Sequence, residues 1–156
     1  MVTTATLELD MVTKAVASVV DPEIPVLTIE ELGILRSVND EDGQVVVTIT
    51  PTYSGCPAMR QIEDDIMATL RRIGVDDAEV RMTFSPAWTT DWISEEGHRK
   101  LAEFGIAPPT DPAEVVCPRC AGDSPRLVAQ FASTACKALM VCSSCGEPFG
   151  YFKPHR

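Results

Sequence analysis

Residues 45–74 read VVVTITPTYSGCPAMRQIEDDIMATLRRIG, and the period of apolar residues changes partway along them. Val45, Val47 and Ile49 alternate with their neighbours, so the first six residues predict a β-strand with one buried face. Met59, Ile62, Ile66, Leu70 and Ile73 then recur at steps of three and four, the spacing of an amphipathic helix. Pro57 stands where a first-turn proline belongs, and Gly74 stands where a glycine C-cap ends the pattern. Cys56 therefore falls at the N-cap of this helix, directly after the loop leaving the strand.

The surrounding sequence completes a small fold. Ile34 to Val38 also has strand composition, and Asn39-Asp40-Glu41-Asp42-Gly43 is turn-rich, so residues 34–50 predict a hairpin. Upstream, Leu9, Val12, Val16 and Val19 keep helical spacing up to Asp21-Pro22, where the residue before proline is driven out of the α region. The segment Asp21-Pro22-Glu23-Ile24-Pro25 is a stiff loop, since two prolines fix φ, and it can hold Asp21 or Glu23 in place. Downstream, Ala78, Val80, Met82 and Phe84 predict a third strand, and Ser94 before Glu95 and Glu96 opens a last helix running to about Gly105. The order α-β-β-α-β-α predicts an α+β domain over residues 1–107, with helices on a small mixed three-stranded sheet. Residues 108–116 begin Pro108-Pro109-Thr110-Asp111-Pro112 and read as a proline-rich linker. Residues 117–156 form a second, small module.

Composition separates these parts. Residues 1–116 carry 21 acids and 8 bases, net −13, whereas residues 117–156 carry 2 acids and 5 bases, net +3. A chain of net charge −10 is not built to grip nucleic acid, because phosphate binding draws on Lys and Arg to release counterions. Acids at Glu8 and Asp10, and the lack of any apolar run of membrane-spanning length, predict a cytoplasmic chain with no membrane partner.

In a reducing compartment closely spaced cysteines read as metal ligands before disulfides. Cys117-Pro118-Arg119-Cys120 and Cys142-Ser143-Ser144-Cys145 form two C-x-x-C pairs with 21 residues between them, near zinc-ribbon spacing. Each pair can wrap a tetrahedral ion from a tight turn, with Gly122 and Gly146 supplying positive φ. About 40 residues with few large apolar groups fold poorly without such an ion, so structural zinc is the expectation. A rubredoxin-like iron site uses the same ligands, and two redox-active dithiols would use the same spacing. Cys136, in Ser133-Thr134-Ala135-Cys136-Lys137, reads as a packed thiol or, with Lys137 beside it, as an accessory reactive group.

At the head of the helix, unpaired N–H groups and the macrodipole favour the thiolate of Cys56 and predict a lowered thiol pKa. Arg60 adds to this, while Glu63, Asp64 and Asp65 oppose it; the alternative is a cysteine packed under the helix end. Trp88-Thr89-Thr90-Asp91-Trp92 reads as a hydrophobic lid with Asp91 capping a turn. His98 and His155 stand alone, and no complete nucleophile, base and acid set is visible, so no catalytic residue is assigned.

Asp21-Pro22-Glu23-Ile24-Pro25, Leu32-Gly33-Ile34 and Thr50-Pro51-Thr52-Tyr53-Ser54-Gly55-Cys56-Pro57 resemble the SufT-like family of iron–sulfur assembly domains over most of residues 8–107. Ser85-Pro86-Ala87-Trp88-Thr89-Thr90-Asp91-Trp92-Ile93, Gly105-Ile106-Ala107-Pro108-Pro109, both C-x-x-C pairs, the Cys136 segment and Glu147-Pro148-Phe149-Gly150-Tyr151-Phe152-Lys153-Pro154 are similar to the PaaD (PaaJ) subfamily, accessory subunits of phenylacetyl-CoA oxygenase. The resemblance implies Cys56 at the functional surface, with Asp21 nearby and Glu23 in the same loop, as candidates for iron or cluster transfer. It implies a zinc ribbon on Cys117, Cys120, Cys142 and Cys145. It also implies aerobic phenylacetate breakdown beside a di-iron oxygenase and an iron–sulfur flavoprotein reductase. One thiol holds iron or a cluster only transiently, and a bridged [2Fe-2S] centre would call for a second chain, as in a homodimer, or a partner's thiol.

Overall fold

The structure is a computed structural model describing residues 4–53 and 55–155. The chain divides into two compact units, one ending at Trp88 and one starting at Thr89.

The first unit has the predicted elements. Helix α1 (Thr4–Ala17) precedes the hairpin β1 (Leu35–Glu41) and β2 (Gln44–Ile49), then α2 (Ala58–Arg72) and β3 (Ala78–Met82). The sheet order is β1-β2-β3, with β1 antiparallel and β3 parallel to β2, and the hairpin turn uses positive φ at Asp42 and Gly43. Parallel pairing of β2 with β3 requires a crossover, and α2 is that crossover. Its Ala58, Met59, Ile62, Ile66 and Leu70 are buried, as the three-and-four spacing requires, and Gly74 takes φ +89° beyond its end. The loop carrying Cys56 thus leaves the carboxyl end of a parallel strand and enters a helix N-terminus, where α/β units commonly place ligands.

Helix α1 ends sooner than expected, at Ala17 instead of at the Asp21-Pro22 step. Ser18 N–H and Val19 N–H bond to carbonyls three residues back, tightening the last turn. Val20 then bridges to Thr28, and Ile29 N–H donates to the Val19 carbonyl. The apolar period outlasts the helix because Val19 is buried by this bridge. Strand β3 likewise stops at Met82, and Phe84 is exposed.

The second unit holds α3 (Glu95–Glu103), β4 (Ile106–Ala107), β5 (Pro125–Ala129), β6 (Lys137–Cys142) and β7 (Pro148–Phe152). Ser94 caps α3 by accepting from Gly97 N–H, and Gly105 follows at φ +86°. The sheet order is β4-β7-β6-β5. The ribbon thus draws its edge strand from residues expected to close the first domain, since Ile106 and Ala107 pair in parallel with Gly150 and Tyr151. The chain divides after Trp88, not at 107.

Residues 108–116 are also packed, not a free linker. Asp111 caps a single 3-10 turn at Pro112–Glu114, Val115 is buried, and Tyr151 Oη donates to the Thr110 carbonyl at 2.5 Å. Val115 joins Ala107, Ala138, Met140, Phe149 and Tyr151 in a core that also includes Cys117 and Cys142. The aromatic loop divides between the units. Trp88, buried in the first, donates its indole N–H to the Leu32 carbonyl at 2.8 Å. In the second, Thr89, not Asp91, caps the 3-10 turn Thr90–Trp92, accepting from Asp91 N–H.

Candidate functional site

Two sulfur sites emerge, one in each unit. In the second unit the two cysteine pairs sit on turns of the same design. In each, the N–H four residues after the first cysteine returns to that cysteine's carbonyl: Ala121 to Cys117 at 2.8 Å and Gly146 to Cys142 at 2.9 Å. Those two residues take positive φ, +61° and +77°. Each first cysteine's N–H donates to the carbonyl one residue further on, Gly122 or Glu147. The first turn's left-handed position is therefore Ala121, not the expected Gly122. Gly122 is needed for closeness: a Cβ there would lie 2.8 Å from Ser144 Oγ and 3.2 Å from Cys142 Sγ.

The sulfurs of Cys117, Cys120, Cys142 and Cys145 all lie within 4.8 Å of one another, with Cys117 to Cys145 at 3.9 Å and Cys120 to Cys142 at 3.5 Å. A tetrahedron with metal–sulfur bonds of about 2.3 Å has edges of about 3.8 Å, so the four thiols fit a closed tetrahedral ion. Cys117 and Cys142 are buried; Cys120 and Cys145 are exposed. The Cys145 and Ser144 N–H groups help draw Cys142 down to about 6. The Gly122 N–H favours the Cys120 thiolate, but the neighbouring cysteine sulfurs outweigh it and push that thiol up to about 12. A metal that takes all four as thiolates displaces their protons, so its affinity rises with pH. Zinc bound there would supply a crosslink between the two turns.

In the first unit Pro57, not Cys56, is the N-cap of α2; Cys56 is half-buried one residue earlier, and its carbonyl accepts from Met59 N–H. Thr52 Oγ1 points its hydroxyl at Cys56 Sγ from 4.0 Å. The expected lowering of the thiol pKa is overturned. Burial pushes it up, the Ala58 N–H and Thr52 hydroxyl oppose that with smaller effect, and Glu23 adds to the rise. The helix N-terminus does favour the thiolate, as the sequence indicated, but desolvation is larger.

Asp21 and Glu23 have distinct places. Asp21 is buried and its Oδ1 accepts from Glu23 N–H at 2.7 Å and Ile24 N–H at 2.9 Å, fixing the loop in an Asx turn. That turn holds Glu23, whose charge reaches Cys56. Thr28 and Glu31 brace the same loop by exchanging side-chain-to-N–H bonds at 3.1 and 3.0 Å. Thr52 was quoted in the sequence motif without a role, and its spacing of four before Cys56 was the signal for this contact. Thr50, fully buried two residues earlier, has no hydrogen-bond partner for its hydroxyl among the described residues. Cys136 stands apart from both sites, half-buried with Thr134 Oγ1 at 3.1 Å. His155 is structural: its carbonyl accepts from Thr90 N–H and from the Thr89 and Thr90 hydroxyls, and its N–H donates to Thr90 Oγ1.

A β-α-β crossover with a cysteine at the helix entry is followed along the chain by a β-ribbon on which four cysteines converge, a set that could hold a metal ion. Family models described as iron-sulfur cluster assembly protein and as PaaD zinc beta ribbon domain match residues 9–82 and 105–153. Over 140 residues the chain is 46% identical to an Escherichia coli (strain K12) protein named as a "Putative 1,2-phenylacetyl-CoA epoxidase" subunit, covering 85% of each chain. This chain belongs to the PaaD family. The chain is also 40% identical over 78 residues to the Staphylococcus aureus (strain USA300) Fe-S protein maturation auxiliary factor SufT, covering 49% of this chain and 88% of that one. A crystal structure of a DUF59 domain from Bacillus anthracis matches with a TM-score of 0.54 and 27% identity, over 60% of this chain and 90% of that one. Among the described residues no helix is long and apolar enough to cross a membrane.

Proposed function

We propose that this chain is a non-catalytic accessory factor of a phenylacetyl-CoA oxygenase system, assisting the loading of iron or an iron–sulfur cluster into the oxygenase or its reductase, with Cys56 as the transient ligand. The observation that carries this reading is the placement of Cys56: a single half-buried thiol at a helix entry beyond a parallel strand, with Thr52 Oγ1 at 4.0 Å and burial raising its pKa. A thiol that must lose a proton to bind metal binds weakly near neutral pH and releases readily, as a carrier requires. The Glu23 carboxylate favours a cationic cargo at the same place, and Asp21 acts by fixing the turn that holds Glu23. The iron-sulfur cluster assembly family model matches residues 9–82, which contain Cys56; relatives matching about half of the chain are named as Fe-S protein maturation factors, and the relative named for an epoxidase matches 85% of it. The four-cysteine ribbon serves in this reading as a zinc-held architectural module.

The test is to prepare the oxygenase and reductase in cells lacking this protein. Iron or sulfide should be substoichiometric, and chemical reconstitution should restore turnover with the protein still absent. Partners that emerge fully loaded yet stay inactive until the protein is added in stoichiometric amount would replace this reading with a scaffold. The scaffold reading draws on the exposed Leu127, Val128 and Phe131 of the ribbon, large apolar side chains open to a partner.

A further inference from the structure

Helix α2 has 15 residues and so spans about 22 Å, with Cys56 before its first turn and Ile73-Gly74 after its last. At the Ile73 end, residues 8–12 of α1 and the tip of the hairpin border a groove of about 480 Å³. Leu9, Met11, Val12, Val45, Ile73 and Val75 line it together with the exposed acids Glu8 and Asp40. That volume lies within the range of about 300–1,000 Å³ in which proteins enclose ligands. Met11 is 70% exposed and Ile73 44%, so two large apolar side chains face water beside a concave apolar floor. Methionine is flexible and polarisable, and it is over-used on surfaces that accept varied apolar partners.

The charge around the groove selects the partner. Besides Glu8 and Asp40, Asp10, Glu41, Asp42, Asp76 and Asp77 are exposed within two residues of a lining residue, against Lys14, Arg71 and Arg72. Residues 1–88 as a whole carry 15 acids and 6 bases. An anionic or acyl-carboxylate ligand would be repelled, whereas a segment with an apolar stripe flanked by Lys and Arg would satisfy both floor and rim.

We propose that this groove docks a cationic amphipathic helix of a partner protein, its apolar anchors seated against Met11 and Ile73 and its Lys and Arg residues over Glu8 and Asp40. The docking site is separate from Cys56 within the first unit and shares no residue with the four-cysteine ribbon, and it stands whether or not Cys56 carries metal. By tethering the partner at the opposite end of α2, it would leave the thiol end open.

The experiment is a methyl and amide NMR titration of the full metal-loaded chain in 150 mM NaCl with the peptide KLLKKLLKKLLKKLLKKL, and with its counterpart in which every Lys is Glu. The Lys peptide should shift the Met11 methyl and the signals of Val45, Ile73 and Val75, and the Glu peptide should not bind. Met11→Asp and, independently, Ile73→Asp should each weaken the Lys peptide at least tenfold, as should the double change Glu8→Lys with Asp40→Lys. Asp64→Lys, elsewhere on the acidic surface, should change affinity less than twofold. Equal binding of both peptides, unchanged affinity in Met11→Asp and Ile73→Asp, or shifts spread over other acidic surfaces would overturn the proposal. Concentration-dependent self-association of the unliganded chain that Met11→Asp abolishes would also overturn it, by giving the groove to a second copy.

Discussion

The molecule uses cysteine in two opposite ways. In the second unit four sulfurs converge within 4.8 Å on turns that aim N–H groups at them. In the first unit one sulfur is half-buried with a hydroxyl at 4.0 Å and a carboxylate charge nearby. Four thiols around one point can close on a metal ion, whereas a single half-buried thiol leaves any ion it meets mostly open to other ligands. On the function proposed above, the first is a site that keeps its metal and the second one that gives it away.

The largest expected effect lies on the closed site. Cys117→Ser or Cys142→Ser should unfold the second unit, because structural zinc contributes on the order of 10 kcal/mol or more of apparent binding energy to such modules. The first unit should survive, and amide NMR of the variants checks this. Retention of native second-unit signals after cysteine replacement and chelation would break the comparison.

Alkylation of Cys56 comes next. Its pKa lies above the ordinary thiol value of about 8.5, so the reactive thiolate is the minor form below that pH. With the metal site filled, the rate of iodoacetamide labelling should rise about tenfold per pH unit through neutrality and level off only above about pH 8.5. A plateau reached below pH 8 would show that the helix N-terminus outweighs burial after all.

The two turns of the ribbon offer a smaller test. Gly146→Ala places a Cβ at φ +77° and should cost about 1–2 kcal/mol, while Ala121→Gly relieves the same strain at φ +61° and should recover part of that amount. Thermal or denaturant unfolding of the metal-loaded protein measures both. Two changes of the same sign would show that the turns are not equivalent. The smallest effect belongs to Cys56→Ser, which should alter stability by no more than about 0.5 kcal/mol while abolishing function in cells. A fully active Cys56→Ser variant would remove this thiol from the proposed transfer.

What the sequence disclosed and withheld follows from the range of the interactions involved. The three-and-four spacing of Met59, Ile62, Ile66 and Leu70 is local, and so is the alternation in β2, so the first unit's elements were legible. The two C-x-x-C pairs were legible because ligand spacing is itself a local constraint. The pairing of Ile106 with Gly150 spans more than forty residues and leaves no periodic trace in two residues of strand, so the expected boundary fell too late. The proline-rich composition of residues 108–116 described backbone restriction correctly, but not the burial of Val115 beneath it. The sign of the Cys56 shift was hidden for a related reason. The helix dipole can be inferred from Pro57 and the pattern after it, whereas desolvation depends on neighbours brought in from elsewhere in the chain.

The grip of Thr89 and Thr90 on His155 joins the second unit's point of entry to its point of exit through four hydrogen bonds. Topologically, residues 89–155 make a loop closed at its neck, the geometry of an insertable cassette. A host protein could receive this segment within one of its own surface loops without spreading the strands on either side, because the two splice points already lie side by side.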